Sequence, residues 1–358
     1  MSLSSLPDGP LKLVMQHVPL KDRLASCCLV SKRLHAAAVA ATDTVVLRRE
    51  DSVSGLQWLY QYGENVVKLE IYQLTQPLRQ LPCPNLRELK LGRAISVQLG
   101  PSAPDGTPGV VRCCTNLTRL ELFCNIVDGP EFDGVSSLSR LVHLQYLNFL
   151  PRRSGSGPPN SSAQALPGAV LPCLSHLTFL HVGCMSVENL LQLGALSHLQ
   201  SLSVKADVPV GPSSIPGLAL PASLTKLKVW SRMETGLLCL PPSGLQDLML
   251  ECAVDGPAEG PDSLLSCVAR LQQLTSLELR PYEDAAGAES SLCWPPVGPA
   301  YSALTASSKL AVLDMDNVFM PADAWQCIFP ASHTLPHLTS LLVTFDSVQW
   351  GEPPSACA

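Results

Sequence analysis

Charged and aromatic residues are scarce in this chain of 358 residues. Asp, Glu, Lys and Arg make up 15% of it and Phe, Trp and Tyr only 5%, and the formal net charge is −6. This mildly acidic balance argues against a dedicated nucleic-acid binder, because such proteins present a basic surface. The apolar fraction of 46% indicates a folded protein, since disordered chains combine low hydropathy with high net charge.

Long apolar runs and a basic, apolar N-terminus are also missing. The sequence contains no run of about 18 apolar residues, so it predicts no membrane-spanning helix. Met1 to Ser5 lack the basic and apolar regions that make up a secretory signal. The fourteen cysteines contain no C-x-x-C pair, which favours reduced, partly buried thiols over disulfides or zinc. We therefore expect a cytoplasmic or nuclear protein.

Motifs of catalysis and cofactor binding are absent as well. The sequence has no G-x-x-x-x-G-K-[ST] loop, G-x-G-x-x-G turn, G-x-S-x-G elbow or H-E-x-x-H helix. Nothing pairs a nucleophile with a base. We expect a non-catalytic protein with no cofactor.

One phrase recurs throughout the chain: an apolar residue, two other residues, a second apolar residue, one other residue and a third apolar residue. Because the last two apolar residues are two apart, both point to one side of a β-strand. Such a strand can bury its apolar face only by stacking on copies of itself, about 27 residues apart here. The eleven copies begin at Val66, Leu86, Leu117, Leu144, Leu177, Leu199, Leu224, Leu245, Leu274, Leu310 and Leu338.

This pattern resembles the leucine-rich-repeat family over about residues 60–350. The resemblance implies an α/β solenoid: a horseshoe with a parallel sheet on its concave face and a surface that binds other proteins. Many repeats of the family carry Asn or Cys three positions after the phrase, and here only Asn125 clearly fits. Insertions rich in Gly, Pro, Ser and Ala predict loops on the outer face. They span 99–111, 150–168, 206–220, 253–262 and 281–302.

Residues 6–41 lack the phrase and predict three short helices. In the first, Asp8 is the expected N-cap and Pro19 marks the end. A second helix starts near Asp22, and Ser31 caps a third. Apolar residues at helical spacing share one face of the first helix. They are Leu11, Val14, Met15 and Val18.

The same segment resembles the F-box, in its opening Leu6-Pro7 and in the run 29–33. Pro10 and Leu34 depart from the family pattern, which usually has an aliphatic residue and Trp there. The resemblance implies docking on the Skp-type adaptor of a cullin ubiquitin ligase of the SCF type, while the repeats select a protein substrate and partner enzymes perform the chemistry. The residues expected to contact the adaptor are Leu6, Pro7, Leu11, Val14, Val18, Pro19, Leu24 and Val30.

A second interpretation gives the N-terminal helices a different role. Every solenoid needs its ends shielded, so the helices could serve only as a cap on the first repeat. The protein would then be a leucine-rich-repeat scaffold or regulator without a ubiquitin-ligase role. Adaptor binding separates the two interpretations.

The expected organisation has four parts. Residues 1–41 form the F-box-like domain and 42–65 a linker or N-terminal cap, which contains an edge strand at 44–47 and a short helix at 56–60. About eleven irregular repeats occupy 66–350. A tail of 351–358 follows.

Alternate residues of each phrase face away from the leucines, onto the concave side of the predicted sheet. Aromatic residues there are informative because the chain has few of them, and they suggest interface anchors. Long loops folding over the rings explain them equally well. The charge of this face changes from Lys226 and Lys228 to Glu251 and Glu278, which suits a protein partner of mixed charge better than nucleic acid. The aromatic residues predicted to bind substrate are Phe123, Tyr146, Phe179 and Trp230.

Histidine precedes the first leucine of four phrases. Three of these side chains, in consecutive repeats, could stack at the strand spacing of about 4.8 Å and hold a metal. Asn65, Asn85 and Asn116 occupy the same position earlier in the chain, so we favour a polar position whose side chain bonds backbone. We expect no metal site. The four histidines are His143, His176, His198 and His337.

Overall fold

The fold is seen in a computed structural model. It describes residues 6–18, 22–23, 28–49, 52–74, 78–99, 109–126, 134–150, 166, 168–183, 190–206, 220–231, 243–252, 268–281, 292–293, 298–316, 318–319, 324–331 and 335–344. The predicted insertion loops lie mostly outside these residues. The chain divides into two compact units, Met1–Leu177 and Thr178–Ala358, which are described separately below.

The first unit begins with a small helical domain. Its helices are α1 (Asp8–His17), α2 (Cys28–Val30) and α3 (Lys32–Ala40). One buried cluster joins α1 to α3 and consists of Leu11, Met15, Leu34, Ala38 and Ala41. Leu34, which stands where the F-box family usually has Trp, thus fills the core of this domain.

The ends of these helices confirm one predicted cap and correct another. Ser31 is the N-cap of α3, and its Oγ accepts a hydrogen bond from the backbone N–H of Leu34 at 3.1 Å. The prediction of Asp8 as N-cap was wrong, because α1 begins at Asp8 and Pro7 occupies the cap without a side-chain bond. Asp8 instead pairs with Arg33, whose Nη2 lies 2.9 Å from Oδ1.

A buried arginine ties two helix ends together. Arg23 donates to the carbonyl oxygens of Val18 at 2.9 Å, Gln16 at 3.2 Å and Ala41 at 3.0 Å. These carbonyls lie at the C-terminal ends of α1 and α3, where they lack partners within the helix and carry the negative end of its dipole. The guanidinium therefore stabilises the packing of the two helices.

The predicted linker elements are confirmed. Strand β1 (Thr44–Leu47) leads to helix α4 (Ser52–Tyr62) and a 3-10 turn at Gly63–Asn65. Gly63 is required at this turn, because an added Cβ would lie 2.6 Å from the carbonyl oxygen of Pro82. His35 of α3 contacts Tyr62 of α4, with 3.1 Å between Nε2 and Oη, so the helical domain packs directly on the linker.

In the first unit, the repeats form a parallel sheet in the order β1-β2-β3-β5-β7. Parallel neighbours need a crossover, which the residues between phrases supply. Leu69, Leu89, Leu120 and Leu147 are aligned across neighbouring strands, so the phrase sets the register. The strands are β2 (Lys68–Gln73), β3 (Glu88–Ala94), β5 (Arg119–Leu122) and β7 (Tyr146–Phe149), with a separate small pair β4 (Ser96–Val97) and β6 (Asn125–Ile126).

The crossovers of the first unit use short helical segments. These are α5 (Val110–Cys113) and 3-10 turns at Gly134–Arg140 and Gly168–Cys173. Before the phrases, the Nδ2 of Asn85 donates to the carbonyl of Glu64 at 2.7 Å, and that of Asn116 donates to the carbonyl of Pro84 at 3.1 Å. The expected bonding of backbone from this position is confirmed at both asparagines.

The second unit repeats this arrangement with seven parallel strands in the order β8-β9-β10-β11-β12-β14-β16. They are β8 (Phe179–Val182), β9 (Ser201–Ala206), β10 (Lys226–Ser231), β11 (Asp247–Cys252), β12 (Ser276–Pro281), β14 (Val312–Asp316) and β16 (Ser340–Thr344). A separate small pair of strands consists of β13 (Leu292–Cys293) and β15 (Val318–Phe319). The described elements also include helix α6 (Ala324–Ile328) and 3-10 turns at Leu193–Ala195 and Gly298–Thr305.

Burial confirms the register that the phrase predicts. All three apolar positions of the first ten phrases, from Val66 to Met315, are at most 3% exposed. The eleventh phrase differs: Leu341 is 47% exposed on β16, which ends the strand order. The parallel strands, the buried phrase and the N-terminal helices confirm the predicted class, a leucine-rich-repeat solenoid preceded by a helical domain.

Candidate functional site

Two helices of the N-terminal domain carry exposed apolar side chains. Leu13 and Val14 on α1 are 61% and 38% exposed, and Leu29 and Val30 on α2 are 86% and 71% exposed. Several large apolar side chains exposed on one small domain are typical of a protein-interaction site. We call these four residues the helical patch.

The predicted adaptor-binding residues divide between this patch and the domain core. Val14 and Val30 belong to the patch, and Pro7 is exposed. The expectation that the whole face of α1 lacks a partner inside the segment was wrong, because Leu11 is fully buried. Leu6 and Val18 also pack against that core. Pro19 and Leu24 lie outside the described residues.

Two members of the patch escaped the sequence analysis. Leu13 lies off the helical face that contains Leu11, and Leu29 was noted only as part of the F-box run. The sequence signal that could have identified Leu13 is its position beside the predicted core face of the helix, where an apolar side chain is left exposed. The contact role of every residue in this set stays a prediction.

The face of the first sheet opposite the leucines carries two rows of polar side chains, which we call the open face. The strand register places Lys68, Glu88, Arg119 and Tyr146 in one row. It places Glu70, Lys90, Glu121 and Asn148 in the next. Charges therefore alternate both along the strands and across them.

Ion pairs link these rows. Lys68 Nζ lies 3.2 Å from Glu70 Oε1 and 3.7 Å from Glu88 Oε2. Glu121 receives two cations, Arg119 Nη2 at 2.6 Å and Lys90 Nζ at 3.4 Å. A hydrogen bond of 2.7 Å from the Tyr72 hydroxyl to Glu70 lowers the pKa of that carboxyl.

A depression of about 360 Å³ lies over the open face. Its lining is mostly charged and includes two leucines. The lining residues are Lys68, Leu69, Glu70, Glu88, Leu89, Lys90, Arg119 and Glu121.

Aromatic rings support the cations of this face. The Arg119 guanidinium carbon lies 3.7 Å from the ring centroid of Tyr146. Lys90 Nζ lies 5.9 Å from the ring centroids of both Tyr72 and Phe123. Phe123 and Tyr146, two of the predicted substrate-binding residues, therefore hold cations in place.

The other two predicted aromatic residues lie on the second unit. Trp230 stacks on His181 with 5.2 Å between ring centroids and 28° between ring planes. Burial, with a smaller contribution from the charge of Lys228, lowers the pKa of His181. Phe179 is half-buried at the start of β8.

The four predicted aromatic residues take different positions within their strands. Tyr146 and Phe179 begin their strands, whereas Phe123 follows the last residue of β5 and Trp230 is the fifth residue of β10. Within the first unit Tyr146 pairs with Arg119, four residues before Phe123, so the two rings are offset by about 13 Å along the strand direction. That the four rings form one substrate-binding centre stays a prediction.

Acidic side chains dominate the later strands of the second unit. Asp247 on β11 pairs with Lys226 at 3.5 Å, and Glu278 on β12 pairs with Arg280. Asp314 on β14 is next to Glu278 in the register. Burial and then the charge of Glu278 raise the pKa of Asp314. The predicted change of charge sign along the strands is present here.

Among the described residues, no group of three or more His, Cys, Asp or Glu side chains could hold a metal ion. Burial raises the pKa of Cys83 and Cys124 to about 12, which keeps both thiols protonated and unreactive at neutral pH. None of the described helices is long and apolar enough to cross a membrane.

Comparison with known families gives one match. Residues 3–39 match the F-box domain. No curated protein matches the chain at a significant level. The family match includes the helical patch and all of the buried cluster except Ala41, which lies two residues beyond the match.

Solved structures of similar fold include a leucine-rich-repeat protein of Leptospira interrogans, at 14% identity and a TM-score of 0.37, covering 89% of this chain and 90% of that one. An internalin of Listeria monocytogenes is 14% identical with a TM-score of 0.38, covering 93% of each chain. The Drosophila Toll–Spätzle complex is 12% identical with a TM-score of 0.38, covering 79% of this chain and 41% of that one.

The domain match and the chain's own strand pattern together define the class. An F-box domain precedes strands whose buried phrase and parallel order are those of leucine-rich repeats. The chain is an F-box protein with leucine-rich repeats.

Proposed function

We propose that this protein is the substrate-recognition subunit of an SCF-type cullin ubiquitin ligase. Its F-box domain docks the Skp-type adaptor, and its repeats bind a protein substrate. The observation that carries the proposal is the helical patch, whose four apolar side chains are exposed inside the matched domain and do not belong to its buried cluster. A partner that covers the patch gains the free energy of apolar burial.

In this proposal the protein contributes no catalytic group. It brings a substrate to enzymes bound through the adaptor, in the cytoplasm or the nucleus. The surfaces available for the substrate are the open face of the first unit and the corresponding strand face, opposite the leucines, of the second. Both carry polar and aromatic side chains at regular spacing. Aromatic and arginine side chains are the usual anchors of protein interfaces.

The test is capture of a purified Skp-type adaptor by the full-length protein. The variant Val14→Glu/Val30→Glu places charges in the helical patch and is expected to abolish capture. The matched control Val67→Glu/Val142→Glu changes two valines of the repeats, which are 37% and 46% exposed. It should capture the adaptor as well as the unmodified protein does.

Two results would contradict the proposal. If the unmodified protein captures no adaptor, the helices act only as a cap and the repeats form a scaffold or regulator. Equal capture by the patch variant and the unmodified protein would show that the adaptor does not dock on these helices. Circular dichroism of each variant distinguishes loss of contact from loss of fold.

A further inference from the structure

The cations and carboxylates of the open face of the first unit are not equally accessible. The side chains of Lys68, Lys90 and Arg119 are 42%, 36% and 43% exposed. Those of Glu70 and Glu121 are only 19% and 10% exposed. The positive groups therefore form the outer layer, and these two carboxylates lie beneath them.

The two central cations are held in place before any partner arrives. Arg119 donates from Nε and Nη2 to Glu121 and stacks on the ring of Tyr146. Lys90 is held by the same carboxylate and by the rings of Tyr72 and Phe123. Side chains already fixed in this way lose little conformational entropy when a ligand binds.

Both cations retain donors for a ligand. A guanidinium has five N–H donors and an ammonium three, whereas Arg119 uses two with Glu121 and Lys90 needs only one. Glu121 also shows which group fits, since a single carboxylate reaches both cations. Glu88 is 43% exposed, pairs with Lys68 and lies opposite Arg119 in the strand register, so it repels a carboxylate that approaches Arg119 from that side.

We propose that the Lys90–Arg119 pair on the open face is a docking site for an acidic segment of a protein, whose Asp or Glu carboxylates bind these two cations. Phe123 and Tyr146 flank the pair and supply apolar contact for the residues between the carboxylates. An extended segment rises about 3.3 Å per residue, so alternate acidic and apolar side chains match the site. The inference deepens the proposed function by naming the class of substrate segment that the repeats select.

The test measures binding of fluorescein-labelled peptides to the full-length protein by fluorescence anisotropy. The acidic probe alternates Glu and Leu; in the other probes, Gln, Lys or phosphoserine replaces Glu. We expect the acidic probe to bind most tightly, and its binding to weaken as salt is added, because exposed charges are screened.

Matched variants locate the site. Lys90→Ala/Arg119→Ala is expected to weaken binding of the acidic probe at least about tenfold, from the loss of two charge-assisted contacts. The control Arg270→Ala/Lys309→Ala removes the same charge from exposed turns of the second unit and should leave binding unchanged. Thermal unfolding of both variants establishes that they are folded.

Four outcomes would overturn the inference: no binding of the acidic probe, equal or tighter binding of the Lys probe, equal weakening by both variants, or binding of the phosphoserine probe alone. Adaptor capture is measured on the same preparations. Binding of the acidic probe without adaptor capture would refute the ligase role and support the docking site. Adaptor capture without binding of the acidic probe would refute the docking site and support the ligase role.

Discussion

The helical domain and the repeats use their apolar residues in opposite ways. In the repeats, the apolar positions of ten successive phrases are almost completely buried. In the helical domain, Leu11 is fully buried whereas Leu29 is 86% exposed. A stacked sheet buries the apolar face of each strand against its neighbours. A domain of about 40 residues is too small to bury all its apolar surface.

This difference separates two kinds of interaction surface. The helical patch is apolar. The strand faces opposite the leucines are charged and aromatic, and in the first unit their cations are held by carboxylates and rings. The two surfaces therefore differ in the side-chain chemistry that they present.

The largest expected effect comes from removing a core leucine of the repeats. Leu120→Ala or Leu202→Ala should lower the free energy of unfolding by about 2–5 kcal/mol, from lost transfer energy and a cavity. Leu341→Ala changes the same phrase position in the eleventh repeat, where the side chain is 47% exposed, and should cost less than about 1 kcal/mol. Chemical denaturation measures all three. Equal losses would mean that burial does not distinguish the last repeat from the others.

Replacing the aromatic residues should affect binding more than stability. Alanine at Phe123, Tyr146, Phe179 and Trp230 together is expected to weaken substrate capture by about 2 kcal/mol or more, because aromatic anchors dominate interface energies. Adaptor capture should not change, because the helical patch is formed by other residues. Pairwise variants, one for each unit, show which unit holds the substrate. Unchanged capture by the quadruple variant would exclude the open faces.

Arg23 tests whether the helical domain unfolds independently of the repeats. Arg23→Met leaves three helix-end carbonyls without this donor and should cost about 1–3 kcal/mol. Hydrogen exchange should increase in residues 6–41 and stay unchanged in the repeats. The control Arg33→Ala removes an exposed pair with Asp8 and should cost under about 1 kcal/mol. Increased exchange throughout the chain would show that the two regions unfold together.

A smaller effect is expected at the cap of α3. Ser31→Ala removes the acceptor for the N–H of Leu34 and should cost about 1 kcal/mol. Ser31→Asn supplies another acceptor and should restore most of the loss. Thermal unfolding of the F-box domain gives both values. Equal stability of the two variants would show that the cap contributes nothing.

The smallest expected effect is a pH dependence from His181. Burial lowers its pKa below the usual 6.5, so the unfolded chain takes up this proton first as the pH falls. The stability that this group contributes is therefore fully present above pH 6.5 and declines as the pH falls below that value. His181→Phe retains the stack on Trp230 and should flatten the decline. An unchanged slope of melting temperature against pH would contradict this assignment.

Most of the repeat architecture could be predicted because it depends on local spacing. The phrase gave both the register and the buried positions, from Leu69 to Met315, since side chains alternate across a strand. Ser31 was predictable as a cap for the same local reason. The F-box resemblance predicted the helical domain from a short run of residues.

Errors arose where a residue has two possible environments. Leu11 and Val14 occupy the same predicted helical face, and only the position of α3 decides that one is buried and the other partly exposed. Asp8 could cap its own helix or pair with Arg33, 25 residues away, and the distant partner prevails. The aromatic residues were predicted individually, but their offset along the strands depends on the register between repeats.

The sequence by itself determined that this protein is a stack of leucine-rich strands preceded by an F-box domain. Periodicity and short motifs act over a few residues, so they can be read without a structure. Only the tertiary structure decided which cations stand above which carboxylates on the open face, and which apolar side chains of the helices remain uncovered. Both depend on contacts between residues far apart in the chain, which packing brings together.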